Sequence, residues 1–352
     1  MEKSVPINEL DVFYISYDEP RKEEHWAKIL DNVPWAKRVD GVKGFDNAHK
    51  ECARQSETER FVTIDGDNEI DPKFFDNRLT ITAKTEKSIF SWSAVNVING
   101  LIYGNGGLKV WPVDTTLAMN THEAAEGEVA AVDFCWDLDY QQKNDVYSTS
   151  YPNGSPYQAF RAGFREGVKM SLHEGSKIGI KDFRPFGPDG TKYEGWNSGA
   201  RIWHKNYQRM IIWMTVGADV ENGLWGMLGS RLGCQMTNLT DWDHTLISDY
   251  DWFTNFFEND IAPNFAGTDE TCYYTGLDWS KEKVWNRIKE LGEQLRVDLN
   301  LKIADFDEAG SKFFKEVYVN PTRVGFNYDE KFTEWLQICL LYTSDAADEE
   351  RG

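Results

Sequence analysis

The sequence predicts an α/β protein with a helical C-terminal part. Between residues 11 and 71, apolar runs of strand length alternate with segments of helical composition, which is the pattern of a parallel α/β sheet. Hydrophobic residues make up 41% of the 352 residues, enough for a substantial core. Residues 284–295 carry an apolar stripe at helical spacing behind Ser280, a residue type that caps helices. These three observations set the fold class.

The first elements follow from local signals. β-branched and aromatic residues mark the strands, and charged residues with one apolar face mark the helices. Gly44 interrupts the chain before the second helix. The predicted elements are, in order, a strand at 11–17, a helix at 23–30, a strand at 36–42, a helix at 46–55 and a strand at 61–64.

The motif Asp65-Gly66-Asp67 lies where the third predicted strand ends. Ligands bind at the carboxyl ends of strands in open α/β sheets, and Gly66 permits a tight turn or a close approach to a ligand. Carboxylate oxygens are hard ligands that suit Mg²⁺ or Mn²⁺ carrying a substrate phosphate. The alternative is an acidic turn after a strand, because Asp-Gly is also a common hairpin signal.

A glycine-rich block at residues 96–111 follows the acidic motif. Glycine is unfavourable inside a strand unless the backbone must pass close to something else. Gly104, Gly106 and Gly107 therefore predict a loop that approaches a ligand, although a hairpin with a purely structural use is the alternative. Residues 217–233 are again glycine-dense and are a candidate for a segment that closes over the site.

These blocks, in this order, resemble the nucleotide-sugar half of GT-A glycosyltransferases. The resemblance covers residues 11–139 and implies a Rossmann-like mixed sheet flanked by helices, a nucleoside diphosphate sugar, with uridine diphosphate as the expected nucleotide, and a Mn²⁺ or Mg²⁺ cofactor. It departs from the family at Phe45 and Lys50, where many relatives have Lys and Asn. The implied donor contacts are Ser16, Tyr17, Asp18, Asp65, Gly106 and Gly107, and His49 or Lys43 is expected to supply the phosphate contact in place of the departing positions. The implied metal ligands are Asp65, Asp67 and His204.

The same resemblance places a catalytic carboxylate after the glycine-rich block. An inverting transferase needs a general base to accept the proton of the acceptor hydroxyl. Glu123 matches this place in the chain, with Asp133 and Asp137 as alternatives. Each of the three is otherwise an ordinary surface acid or helix cap, and a retaining mechanism would remove the argument for a base.

The charge distribution bears on the acceptor. A net charge of -20 argues against a generic nucleic-acid binder, which normally has a basic face. Residues 158–209, however, contain ten Lys or Arg but five Asp or Glu, interspersed with aromatic residues that can stack on exposed bases. A solvated loop over a hydrophobic patch is the alternative. The candidate DNA contacts are Arg161, Arg165, Lys181, Arg184 and Lys192.

The chain as a whole is similar to phage-type GT-A enzymes that glycosylate hydroxymethylated pyrimidines in DNA. The expected activity is therefore sugar transfer to 5-hydroxymethylcytosine or a related base. A glycan, lipid or protein acceptor is the alternative within the same family. A non-catalytic sugar-binding protein would use the 14 Trp residues and would not need Asp65 and Asp67.

The sequence also predicts domain ranges and a location. We expect a nucleotide-sugar and acceptor domain at 1–240 and a helical extension at 241–338. Residues 339–352 include a segment that resembles a translated sequencing adapter and is set apart from the fold. No apolar run has the length of a membrane span and no cationic, apolar signal opens the chain, so the expected location is the cytoplasm of an infected host cell, with no membrane partner.

Overall fold

The computed structural model describes residues 2–104, 106–121, 138–172, 175–177 and 204–318. Its contacts divide the chain into two compact units, Met1–Gly154 and Ser155–Gly352. The described part of the first unit is α/β, and that of the second is mainly helical. No helix within the described ranges is long and apolar enough to cross a membrane. This division does not test the three predicted ranges, because they were defined by function and by sequence origin. They are 1–240, 241–338 and 339–352.

The first unit is built on one mixed sheet. Its described strands are β1 (Lys3–Pro6), β2 (Asp11–Ser16), β3 (Lys37–Asp40), β4 (Arg60–Asp65), β5 (Asn68–Ile70), β6 (Arg78–Ile81), β7 (Ile89–Asn96), β8 (Ile102–Tyr103), β9 (Lys109–Pro112) and β10 (Tyr140–Ser150), and its helices are α1 (Lys22–Asn32), α2 (Phe45–Gln55) and α3 (Val113–Ala118). The order in the sheet is β3-β2-β4-β9-β7-β10-β5, with β8 on β7, while β1 and β6 pair separately. The predicted α/β class is confirmed.

The parallel part of the sheet is the predicted strand-helix-strand series. Strand β2 lies between β3 and β4 and runs parallel to both. Ile15 pairs with Asp65, and Ser16 pairs with Asp40, so the carboxyl ends of the three strands meet at one edge. Strand β9 runs antiparallel to β4, beginning beside Thr63, and brings the end of the glycine-rich block to the same edge.

Alternating side chains of β2 cover the two faces of the sheet. Val12 and Tyr14 join one apolar cluster, which includes Ile29 of α1. Phe13 joins the other, which includes Cys52 of α2. Successive strand residues point to opposite faces, and a sheet covered on both faces needs apolar residues at consecutive positions. This explains why the strand reads as a continuous apolar run.

The second unit contains the remaining described helices. They are α4 (Pro156–Lys169), α5 (His204–Thr215), α6 (Gly223–Leu239), α7 (Tyr250–Phe256), α8 (Lys281–Leu299) and α9 (Glu308–Val317), with a hairpin of β11 (Glu270–Thr271) and β12 (Asp278–Trp279). The predicted cap of α8 is present, because the Ser280 hydroxyl accepts a hydrogen bond from the Lys283 amide at 3.4 Å. The predicted stripe from Val284 to Leu295 is buried.

Helices α4 and α6 touch through glycines. A Cβ added at Gly163 would overlap the carbonyl of Gly226, and one added at Gly229 would overlap the carbonyl of Phe160. The obstacle is backbone in both cases, so no side-chain movement could make room. The two helices therefore pack at a separation that only glycine permits at these positions.

Arg231 of α6 is completely buried and joins four segments of this unit. Its guanidinium donates to the carbonyls of Met214, Ile288 and Ala304 at 2.7 to 2.8 Å, and to the Asp305 carboxylate at 2.6 Å. A buried charge is tolerated when it is paired and its N–H groups are hydrogen-bonded. Arg231 thereby ties α5, α6 and α8 to the segment before α9.

The close contact of α4 and α6 gives a stability prediction. We expect Gly163→Ala to lower the free energy of unfolding by about 2–3 kcal/mol, because the added methyl group forces two backbones apart. Gly310→Ala in α9 is the matched control, since the nearest atoms to its Cβ would belong to side chains, Phe306 at 3.2 Å and Asp307 at 3.4 Å. Urea denaturation followed by circular dichroism measures both. Equal stability of the two variants would contradict backbone contact between α4 and α6.

Candidate functional site

The turn after β4 is fixed by hydrogen bonds to its backbone. The Gly66 carbonyl accepts from the Tyr14 hydroxyl at 2.8 Å, and His25 Nδ1 lies 3.0 Å from the same oxygen. The Asp67 carbonyl accepts from the Tyr151 amide at 2.7 Å. Since these partners come from three other parts of the unit, the two carboxylates on either side of Gly66 are presented from a rigid turn.

Asp67 is held on the inner side of this turn. Its carboxylate accepts from Asn68 Nδ2 at 2.7 Å and from the Ser150 hydroxyl at 3.4 Å. Removal from water and, second, the charge of Asp65 together raise the pKa of Asp67 to about 6, against the effect of the two hydrogen bonds. The hydrogen bonds to Asp67 therefore do not fully offset the cost of its negative charge.

Asp65 is the more open of the two carboxylates, with 42% of its side chain exposed. Its inner side is covered by Gly107, where any Cβ would overlap the side chain of Asp65. Lys109 Nζ lies 3.9 Å from Asp65 Oδ2 and donates to the Gly106 carbonyl at 2.8 Å. The glycine-rich block thus packs directly on the acidic motif, and its predicted approach to a ligand stays a prediction.

Glu19 brings a third carboxyl group to this turn. A Cβ added at Gly66 would lie 2.6 Å from Glu19 Oε2, so the Glu19 carboxyl group would have to move away from the turn. Burial, with smaller contributions from the charges of Asp67 and Asp18, raises the pKa of Glu19 to about 7. The Tyr17 amide donates a hydrogen bond to Glu19 Oε2 at 2.7 Å, and this bond acts against the rise of the Glu19 pKa.

The chemistry of these groups fits a hard divalent cation. Asp65 offers an accessible carboxylate, and Asp67 has an ionised form that a nearby cation would stabilise. In the part of the chain that the structure describes, no three His, Cys, Asp or Glu side chains are grouped closely enough to hold a metal ion by themselves. Two protein carboxylates with a substrate diphosphate and water are a usual arrangement for Mg²⁺.

The predicted donor contacts on β2 divide into one buried and two open residues. The Ser16 hydroxyl is buried, donates to Asp40 Oδ1 at 2.7 Å and accepts from Arg38 Nε at 3.0 Å. Tyr17 and Asp18 are exposed directly after the strand. The latter two are therefore placed to touch a ligand, whereas Ser16 is engaged in fixing the ends of β2 and β3.

The predicted contacts on α2 also differ in exposure. Lys43 is exposed just before Gly44, whose φ of 96° allows the turn into α2. His49 is buried, its ring is packed on Phe45 and Trp111, and its Nδ1 lies 2.9 Å from the Phe45 carbonyl. Burial lowers the pKa of His49 to about 4, so it is neutral at pH 7.

Other predicted residues lie elsewhere or outside the described ranges. Arg161 stacks on Tyr250 with its guanidinium 3.8 Å from the ring centre, and Arg165 donates to the Ile247 carbonyl. Both are half-buried in the second unit. His204 begins α5, but its side chain lies outside the described structure. Also outside it are Glu123, Asp133, Asp137, Lys181, Arg184 and Lys192.

Sequence reasoning missed Glu19 and Lys109 as members of this site. Lys109 gave a signal, because a lysine at the start of the apolar run 108–111 needs a compensating partner when the strand is buried. Glu19 gave none beyond its position after the first strand. Its approach to Gly66 depends on contacts across the sheet that no local pattern contains.

Comparisons with protein-family models, with curated proteins and with solved structures found no match to this chain.

The raised pKa of Asp67 gives a prediction about stability and pH. Folding raises this pKa from 3.8 to about 6, so ionisation of Asp67 opposes folding, and the cost develops as pH rises between these values. Without metal at pH 7.5, we expect Asp67→Asn to be more stable than wild type by about 1–2 kcal/mol, allowing for partial solvent screening. The advantage should shrink at pH 4.5.

Urea unfolding in the presence of a chelator, at both pH values, measures this difference. Asp145→Asn is the control, because Asp145 is exposed on β10. An Asp67→Asn variant no more stable than wild type at pH 7.5 would show that the carboxylate carries no such cost.

Proposed function

We propose that this chain is a metal-dependent GT-A glycosyltransferase. It would take a sugar from a nucleoside diphosphate sugar, with uridine diphosphate as the expected nucleotide, and transfer it to a hydroxyl group. The observation that supports the proposal most directly is the pair Asp65 and Asp67, which flank a hydrogen-bonded turn at the carboxyl end of a central parallel strand.

The position of the pair relative to β2 supports a nucleotide beside it. Ile15 pairs with Asp65, so the exposed residues Tyr17 and Asp18 leave the sheet next to the acidic turn. Ligands in α/β sheets of this kind bind outside the carboxyl ends of the strands. A nucleoside against Tyr17 and Asp18 would bring its diphosphate towards Asp65.

Each described residue has a definite task in this proposal. Asp65 and Asp67 would hold Mn²⁺ or Mg²⁺, which, when bound, neutralises the departing diphosphate. Tyr14 and His25 keep the turn in place through the Gly66 carbonyl. Gly107 leaves room for the glycine-rich block to lie against Asp65. The acceptor base remains assigned from the sequence to Glu123, with Asp133 and Asp137 as alternatives.

The metal requirement is tested by nucleotide binding. We expect Mn²⁺ to tighten binding of uridine diphosphate to the wild type at least about tenfold, because two carboxylates and a diphosphate share the cation. Asp65→Asn should abolish this gain, and Asp145→Asn should keep it. Isothermal titration with Mn²⁺ and with chelator measures both. If Mn²⁺ leaves the affinity of the wild type unchanged, the transferase proposal fails and a non-catalytic sugar-binding protein becomes the better explanation.

For the acceptor we propose 5-hydroxymethylcytosine or a related hydroxymethyl pyrimidine in DNA. This part rests on the overall resemblance and on the basic, aromatic composition of residues 158–209. Within that range, Arg161 and Arg165 contact the segment 247–250, so the described arginines at least partly serve packing. The DNA contact would then depend mainly on Lys181, Arg184 and Lys192.

Product mass tests the acceptor. DNA containing 5-hydroxymethylcytosine is incubated with the protein, Mn²⁺ and a panel of nucleotide sugars, and the digested nucleosides are weighed. We expect a gain of one sugar mass with wild type and a loss of at least about 100-fold in rate with Asp65→Asn. The same DNA with ordinary cytosine is the control. No mass gain with any donor contradicts a DNA acceptor and directs the search to glycans, lipids or proteins.

A further inference from the structure

Lys109 places a positive charge inside the acidic site. It is the first residue of β9, where it pairs with Thr63 of β4 and with Ser91 of β7. Only 7% of its side chain is exposed. An ammonium group in such a position has lost much of its hydration, so it must be held by polar groups of the protein.

Two of the groups around the Lys109 ammonium belong to the two motifs of the site. The ammonium donates to the Gly106 carbonyl at 2.8 Å and lies 3.9 Å from Asp65 Oδ2. Gly107, which lies between Gly106 and Lys109 in sequence, packs against the side chain of Asp65. One lysine thus connects the glycine-rich block to the more open of the two carboxylates.

We propose that Lys109 is a positioning residue that makes the site select a cation already bound to a diphosphate over a free cation. This inference rests on the proposed function. A free divalent ion on Asp65 would be repelled by the neighbouring ammonium. A diphosphate arriving with its cation is attracted by the same ammonium, so the charge of Lys109 penalises the first ligand and favours the second.

Coulomb's law sets the expected size. At an effective dielectric constant near 20, a unit charge a few ångströms from a divalent ion changes its binding constant by more than about tenfold. Lys109→Met removes the charge and keeps an unbranched apolar stem. Lys109→Gln also removes the charge but retains a donor for the Gly106 carbonyl, and it serves if the Met variant does not fold. Lys109→Arg retains the charge.

The test measures two dissociation constants for each variant. The first is for Mn²⁺ alone, from the loss of the free-ion signal in electron paramagnetic resonance. The second is for uridine diphosphate alone in chelator, from isothermal titration. We expect Lys109→Met and Lys109→Gln to bind Mn²⁺ at least about tenfold more tightly and uridine diphosphate at least about tenfold more weakly. Lys109→Arg should stay within about threefold of wild type for both.

Lys37→Met is the matched control. Lys37 also pairs with a carboxylate, Asp11 at 3.0 Å, but Asp11 begins β2, at the opposite edge of the sheet from Asp65. This variant changes the net charge by the same amount and should leave both constants unchanged. General loss of structure would instead lower the affinity for both ligands. Tighter binding of Mn²⁺ together with weaker binding of uridine diphosphate therefore distinguishes the proposed role from a loss of structure.

Two results overturn the inference. One is a Lys109→Met or Lys109→Gln variant that keeps the circular dichroism spectrum of wild type and binds both ligands more weakly, and the other is a variant that binds both as wild type does. If Asp65→Asn loses Mn²⁺ binding while neutral Lys109 variants behave as wild type, the proposed function stands and only the role of Lys109 falls. If wild type takes up no Mn²⁺ with or without uridine diphosphate, both proposals fall.

Discussion

The burial of Asp67 beside a second carboxylate, Asp65, is the constraint on which the candidate site depends. The two residues flank Gly66 at the end of β4, and removal from water, together with the charge of Asp65, raises the pKa of Asp67. The backbone of the turn is held by hydrogen bonds of the Gly66 carbonyl with Tyr14 and His25 and of the Asp67 carbonyl with the Tyr151 amide.

The surroundings of the turn show how the fold maintains this unfavourable charge. Parallel pairing of β2 with β4 aligns their carboxyl ends, and β9 returns antiparallel with Lys109 beside Asp65. Glycines at 66 and 107 let Glu19 and Asp65 come closer than any other residue type would allow. Unfavourable local interactions of this kind tend to occur at functional sites.

The parallel half of the sheet could be predicted from the sequence because its signals are local. The strands at 11–17, 36–42 and 61–64 and the helices at 23–30 and 46–55 all appear, with boundaries shifted by a few residues. Each of these elements is indicated by the spacing of apolar residues within its own segment. Gly44, with its positive φ, marks the start of α2. The acidic motif was placed at the edge of the sheet for the same reason.

The rest depended on contacts between distant residues. Glycine density at 217–233 gave no sign of a helix, yet most of this range is α6, because its glycines are used against α4. Ser16 has the expected position, but Arg38 and Asp40 occupy its hydroxyl. Glu19 and Lys109 join the site only through sheet pairing, which no window of neighbouring residues contains.

The buried guanidinium of Arg231 has a consequence for how the second unit comes apart. Helices α5 and α8 and the segment at 304–305 each supply a partner to this one group of α6. Losing a carbonyl partner leaves a guanidinium N–H unbonded in the interior, and losing Asp305 leaves the charge uncompensated, so none of these segments can fray alone at little cost. They should exchange their amide protons as one cooperative block, and a chain cut before residue 304 would lose more than the residues removed.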